Sequence, residues 1–300
     1  MPNNQTANAL RTLLVSGYIV SSVSRISQGA TILSVHKRDR LGGLAASTIL
    51  LSETPSINVV EMVRRIASES HSQPLLVTSR SVKNIPTLKA AKFFDLLGGI
   101  VRSDRLIRDD LSLVLNAFGH NRLPKGFIGK PETLLEEFVK DGLEFLLESR
   151  GYHYGQDRLF ESVPDGVVLG KLNLYFDGKA YRGGYHPSSD DIKRFAGYVT
   201  DFNDRYESVL GRIHSFVVVS GSFTEKKNAL ETKASNFYAR CNTQLCCVTA
   251  SDFGQIITNI RLQCANRSAI NWANIFSQLR IKPTSIASEL RRISKDKALD

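Results

Sequence analysis

The sequence predicts an α/β protein, with a mixed sheet flanked by helices in its C-terminal part and a smaller, basic α/β domain ahead of it. Three observations carry this. Short apolar runs at Val167–Leu169, Leu172–Phe176, Ser215–Ser220 and Leu245–Thr249 have the length and composition of buried strands. Longer stretches between them repeat apolar side chains at helical spacing, as Ile192, Phe195, Ala196, Val199 and Phe202 do. A Gly-, Pro- and Lys-rich segment, Gly119–Lys130, begins no periodic pattern and separates 1–130 from 131–300.

Taken in order, Leu10, Leu13 and Leu14 before Gly17 predict a helix over 6–17. Tyr18–Ile26 and Ala30–Val35 read as strands around a Gln28-Gly29 turn, and Ala46–Leu51 as a third. His36–Gly43 between them reads as a basic, glycine-ended loop. Asn58 and Glu61 predict a capped helix to Ser68, and Leu75–Thr78 a short strand after Pro74. Residues 86–118 read as broken helix. In the second part, helices are expected over 131–148, with Gly151-Tyr152 starting a loop, and then over 190–206, 225–240, 251–263 and 268–297. The apolar run Val167–Leu169 turns at Gly170-Lys171 into Leu172–Phe176.

Composition bounds the function. A chain 42% hydrophobic and 23% charged has ample core for two domains. No stretch approaches the about 18 apolar residues of a membrane span, and the polar start Met1 to Gln5 lacks a leader pattern, so a cytoplasmic protein is expected. Cys241, Cys246, Cys247 and Cys264 show no metal-binding spacing and read as buried reduced thiols. The net charge is +10, and residues 1–130 hold 17 Lys/Arg against 8 Asp/Glu, whereas 131–300 hold 22 against 21. Such an excess suits a polyanionic partner such as double-stranded DNA, with Lys37, Arg38, Arg40 and Arg122 as candidate contacts; the bland reading is ordinary solvated surface.

The chemistry concentrates in residues 163–185. Asp165 enters the first strand of the hairpin, Asp177 closes the second, and Lys179 follows at i+2, on the same face of an extended chain. Two carboxylates beside one amine suit a divalent cation next to a proton-handling group. Mg²⁺, with Mn²⁺ as an acceptable substitute, takes one or two carboxylates and leaves places for water and phosphate oxygens. Asp165 and Asp177, with the Gly178 carbonyl, are the candidate ligands; Lys179 would polarise water or stabilise charge on phosphate. Glu144 on the preceding helix is a candidate accessory acid, or a solvated helix residue.

Pro164-Asp165 followed by Asp177-Gly178-Lys179 is a PD-(D/E)xK nuclease signature. With Leu143-Glu144-Phe145, Gly151-Tyr152, Gly183-Gly184-Tyr185, Asp190–Phe195 and Phe216–Gly221 in the same order, residues 132–260 resemble the cleavage domain of FokI-type type IIS restriction endonucleases. That resemblance implies a restriction-endonuclease-like fold and a Mg²⁺-dependent DNA endonuclease with separate DNA-binding (1–130) and cleavage (131–300) domains. It also implies Asp165, Asp177 and Lys179 as the catalytic set. Gly178 stands where the family motif carries Thr, at a variable position. The family's cleavage domain dimerises through the helix after the active site, and Asp190 and Arg194 fall on the matching positions, implying a homodimer during cleavage.

The resemblance stops before residue 130. The element order of 6–78 nonetheless resembles a second, degenerate copy of the same core, without its acids: Ser34–Lys37 and Thr48–Ser52 offer no Asp-to-Glu-x-Lys pairing. An unrelated small α/β module is the reading preferred for this segment, with the degenerate copy as the alternative. Other functional readings are the nuclease subunit of a defence or transposition system whose specificity comes from a partner, and an inactive DNA-binding scaffold. The six histidines are scattered and read as structural or surface residues.

Overall fold

The computed structural model describes residues 4–27, 29–38, 44–79, 82, 85–89, 93, 104–155, 163–263 and 266–296. Its contacts divide the chain into two compact units, Met1–Ile100 and Val101–Asp300.

In the first unit, α1 (Asn4–Leu14) precedes β1 (Ile19–Ser27), β2 (Ala30–Arg38) and β3 (Leu44–Leu51). Then come α2 (Ile57–Glu69), β4 (Gln73–Val77) and β5 (Thr87–Leu88). The sheet order is β1-β2-β3-β4-β5; the first three strands are antiparallel, and β4 and β5 join in parallel. The cap of α2 is Ser56, whose Oγ accepts from Val59 N at 3.4 Å, not the expected Asn58. Val60 and Val63 of this helix pack on Ile32, Leu50 and Leu76 of the sheet. The expected loop from His36 is strand as far as Arg38, and 39–43 lie outside the described residues. The helical reading of 86–118 fails at Thr87–Leu88, which the sheet takes as its fifth strand through Leu76 N–Pro86 O (2.9 Å) and Thr78 N–Leu88 O (3.0 Å). Residues 90–92 and 94–103 lie outside the described residues.

The second unit begins with a 3₁₀ turn at Asp104–Leu106, α3 (Leu111–Gly119) and α4 (Pro131–Leu147). Next are β6 (Arg150–His153), β7 (Gly166–Leu169), β8 (Leu174–Lys179), α5 (Ser189–Leu210), β9 (Ser215–Ser220), α6 (Lys227–Cys241) and β10 (Gln244–Thr249). The helices α7 (Ala250–Gln263), α8 (Trp272–Ile275) and α9 (Pro283–Asp296) close it. Gly151-Tyr152, read as a loop, belongs to β6 because Tyr152 pairs with Val167. β9 is buried along its whole length, as befits a central strand covered on both faces. Cys241, Cys246 and Cys247 are buried free thiols; Cys264 lies outside the described residues. No helix among the described residues is long and apolar enough to cross a membrane.

The division at 100/101 precedes the expected boundary at 130 for a packing reason. Leu111, Val114, Leu115 and Phe118 of α3 share a core with Leu135, Phe138, Phe253 and Ile257. Phe127, inside the linker-like segment, lies edge-on to Phe118 at 5.0 Å and 6.2 Å from Phe138. Gly119 and Gly221 meet backbone to backbone: a Cβ on Gly119 would come within 2.5 Å of Gly221 N. The charge division changes accordingly. Residues 1–100 hold 11 Lys/Arg against 5 Asp/Glu, a net +6, and 101–300 hold 28 against 24, a net +4.

The second sheet runs β10-β9-β8-β7-β6, with β6, β7 and β8 antiparallel and β9 and β10 parallel. Read from its first strand, it has the order and strand directions of the first sheet. In both units a helix precedes the three antiparallel strands and another separates the third strand from the fourth. The element order expected for a second copy of the core is thus present, strand for strand.

Candidate active site

The hairpin β7–β8 and the parallel neighbour β9 build the site. Gly166 pairs with Phe176, so the next step of the antiparallel ladder sets Asp165 against Asp177. β8 runs three residues beyond its last pairing with β7, because β9 supports it through Lys179↔Ser220. The expected strand therefore extends over Asp177, Gly178 and Lys179. Ser220 Oγ donates to the Lys179 carbonyl at 2.6 Å and pins that strand end.

The three expected catalytic residues converge. Asp165 Oδ2 accepts from Gly178 N at 2.7 Å, and Lys179 Nζ is 2.8 Å from Asp177 Oδ2. Asp177 is buried, and the Lys179 ammonium lies 6.0 Å from the Phe195 ring centroid on α5. Burial pushes the Asp165 carboxyl well above the usual carboxylate range, and the neighbouring Asp177 and Glu136 push it further while Lys179 opposes them. For Lys179, burial works against the charge, but Asp177 and Asp165 outweigh it and raise its pKa above the ordinary lysine value. Both carboxylates thus favour the charged form of the amine, which suits it to present positive charge.

The Glu144 carboxylate, the accessory candidate, is buried and engaged rather than solvated. Glu144 Oε1 accepts from Gly151 N at 2.7 Å and Oε2 from Lys140 at 2.9 Å, so that side chain ties α4 to β6. The carboxylate that approaches the catalytic strand is Glu136, two turns earlier on α4, whose Oε2 lies 2.6 Å from His153 Nε2. Sequence reasoning missed it because Glu136 and Glu137 are adjacent on a helix and only packing tells which one faces the sheet. Glu137 pairs outward with Arg105 at 2.6 Å.

A second polar network borders the site on α5. The helix starts in a capping box: Ser188 Oγ accepts from Asp191 N and Asp191 Oδ2 from Ser188 N, each at 3.0 Å. Asp191 also accepts from Tyr185 Oη at 2.9 Å and Arg194 Nη2 at 2.6 Å. Burial opposes the Asp191 charge, yet the Ser188 bonds, Tyr185 and Arg194 hold its carboxyl below the usual value. The expected Asp190–Arg194 face is thus not an internal pair. Asp190 is 90% exposed and bonds Lys193 at 3.1 Å, and Arg194 belongs to Asp191.

The candidate DNA contacts fare unequally. Lys37 is half-buried, donating to Ser16 O at 2.8 Å and lying 5.3 Å over the Tyr18 ring, so it serves its own unit. The Arg38 side chain and all of Arg40 lie outside the described residues. Arg122 is exposed, but it follows α3 in the second unit, where Gly119 O accepts from Tyr181 N at 3.0 Å, two residues beyond Lys179.

Among the described residues, no cluster of three or more His, Cys, Asp and Glu side chains forms a ready-made metal site. The donor set is the two-carboxylate one. Asp165 and Asp177 face a single ammonium, and a divalent cation held by both carboxylates would offset the repulsion from Asp177 that adds to burial in raising Asp165. A cavity of about 410 Å³, lined by Asn173, Arg212, His214 and Gln244 among others, opens at the opposite end of the sheet and takes no part in this site.

In comparisons with known proteins, the FokI cleavage domain profile matches residues 107–280, more than half of the chain. The structure of restriction endonuclease FokI matches with 16% identity and a TM-score of 0.46, over 67% of this chain and 38% of that one. FokI bound to DNA matches with 15% identity and a TM-score of 0.43, over 66% and 37%. The chain thus spans little more than a third of the length of those proteins. No curated protein sequence matches. The 107–280 match covers α3 through the segment after α8, the same stretch that packs around the Asp165–Asp177–Lys179 hairpin, and on it the chain belongs to the FokI cleavage-domain family.

Proposed function

We propose that this chain is a Mg²⁺-dependent DNA endonuclease, a type IIS-like restriction enzyme, with Asp165, Asp177 and Lys179 as its catalytic set. The observation that carries the reading is the convergence of two carboxylates and a lysine at the adjoining ends of two buried strands in a unit of the FokI cleavage-domain family. Asp165 and Asp177 would hold the cation, with Mn²⁺ as a substitute. The Gly178 carbonyl joins them, because a strand residue's N–H and C=O share a side and the Gly178 N–H faces Asp165. When bound, Mg²⁺ would neutralise phosphoryl oxygens and acidify a water. Lys179, oriented by Asp177, presents its charge to the phosphate and stabilises the negative charge that develops there. The Gly178 N–H fixes one oxygen of Asp165 and so orients its carboxyl toward Asp177.

Double-stranded DNA is the substrate in this reading, and the basic residues 1–100 hold it. Cleavage of both strands needs two copies of the site, with the exposed Asp190 and the adjacent Arg194 on the contact between protomers. Supercoiled plasmid incubated with Mg²⁺ and either wild type or Asp177→Ala tests the assignment. Linear product from wild type alone supports it, and equal cutting by both removes it. Cleavage confined to fixed sites separates intrinsic from partner-supplied specificity.

A further inference from the structure

Glu136 and His153 form a pair that the two-carboxylate reading does not use. Their 2.6 Å contact is largely buried, with side chains 17% and 16% exposed. His153 closes β6 opposite Gly166, the residue after Asp165, while Tyr154 N donates to Asp165 O at 2.8 Å. The pair therefore flanks the same residue that carries the metal-binding carboxylate. Glu136 is close enough to contribute to the upward push on Asp165. The approach of α4 depends on Gly178: a Cβ there would lie 3.1 Å from Glu136 Cγ and 3.5 Å from Glu136 Cα, tight enough that the helix or its side chain would have to give.

We propose that Glu136, held by His153 and admitted by the missing side chain of Gly178, is a third acidic group of the cleavage site, a positioning residue that strengthens cation binding by accepting hydrogen bonds from the cation's waters. The hydrogen bond that engages Glu136 Oε2 with His153 suits this outer role over direct ligation. The inference rests on the metal reading of Asp165 and Asp177. A purely structural role, in which the pair ties α4 to β6, would affect unfolding and leave the cation affinity of the folded protein unchanged.

The test is Mn²⁺ binding by the full chain without DNA, followed by the electron paramagnetic resonance signal of free Mn²⁺, together with urea unfolding of each variant. Glu136→Gln keeps shape and hydrogen bonding and is expected to weaken Mn²⁺ about 10- to 100-fold. His153→Leu should weaken it similarly and His153→Gln, which retains a donor, should restore most of it. Gly178→Thr should weaken it as well, and adding Glu136→Gln to that variant should produce little further loss, because both changes remove the same interaction. A folded Glu136→Gln protein with wild-type Mn²⁺ affinity overturns the proposal and leaves the Asp165/Asp177 assignment standing. Wild type binding no more Mn²⁺ than Asp177→Ala overturns that assignment instead.

Discussion

The two sheets share strand order and strand directions but differ at three places. In the second sheet the ladder sets Asp165 against Asp177, with Lys179 two residues on. In the first, the fourth strand pairs Leu76 with Leu50, as β9 pairs Val218 with Asp177, and Leu50 pairs in turn with Ile32. Counted from the first parallel pair of each sheet, Ser47↔Gln73 and Leu174↔Ser215, Ile32, Leu50 and Ser52 fall at the positions of Asp165, Asp177 and Lys179. Ile32 and Leu50 are 2% and 1% exposed and pack on Val60 and Val63 of α2, so the pocket that holds charge in one sheet is ordinary core in the other. One backbone plan tolerates both fillings because the strand ends are supported by their neighbours, whatever the side chains. The acidic version carries an electrostatic cost, which the proposed cation would offset.

The comparison can be broken most sharply at Asp177. Asp177→Ala should reduce plasmid cleavage by about 10³-fold or more by losing a ligand and the partner of Lys179, with the chain still folded by circular dichroism. The mirror-image change, Leu50→Asp, introduces a lone buried charge into the first sheet. It should cost about 3–5 kcal/mol in urea unfolding without changing the cleavage rate of the folded protein. A Leu50→Asp chain of wild-type stability would show that the first sheet is not the apolar counterpart described here. Gly119→Ala drives a methyl into the Gly221 backbone beside the catalytic strand, at a cost of about 1–3 kcal/mol, so its midpoint of denaturation should fall. Lys37→Ala should lose less, about 0.5–1 kcal/mol, and should leave DNA affinity in gel shifts unaltered, because that amine is engaged with Ser16 and Tyr18. For Arg194→Ala, cleavage should come to depend more steeply on protein concentration if the exposed start of α5 is the contact between protomers.

Much of the site was legible beforehand because strand geometry is local. Period-two alternation puts residues 177 and 179 on one face, and a short hairpin returns 165 to them, so Asp165, Asp177 and Lys179 could be grouped from spacing and family pattern. Glu144 was a reasonable candidate by the same pattern, yet its carboxylate is engaged with Lys140 and Gly151. Glu136 could not have been found this way, since which helical face meets a sheet depends on the crossing of two elements distant in sequence. Thr87–Leu88 was misread for a related cause: two residues have no periodicity, and only the unpaired edge of β4 makes them a strand. The boundary was misplaced because Gly119–Lys130 has linker composition, and Phe127, the aromatic that anchors it, has no signal of its own.

By itself the sequence determined most element types, the α/β class and the acid–acid–lysine hairpin, all of which follow from patterns shorter than about twenty residues. Tertiary structure alone decided that Asp177 pairs with Lys179, that Glu136 rather than Glu144 meets the Asp177–Lys179 strand, and that Ile32 and Leu50 are core of the first sheet. The physical reason is common to all three. Burial, register and charge balance are properties of contacts between distant segments, and no local pattern of residues encodes how closely those segments approach.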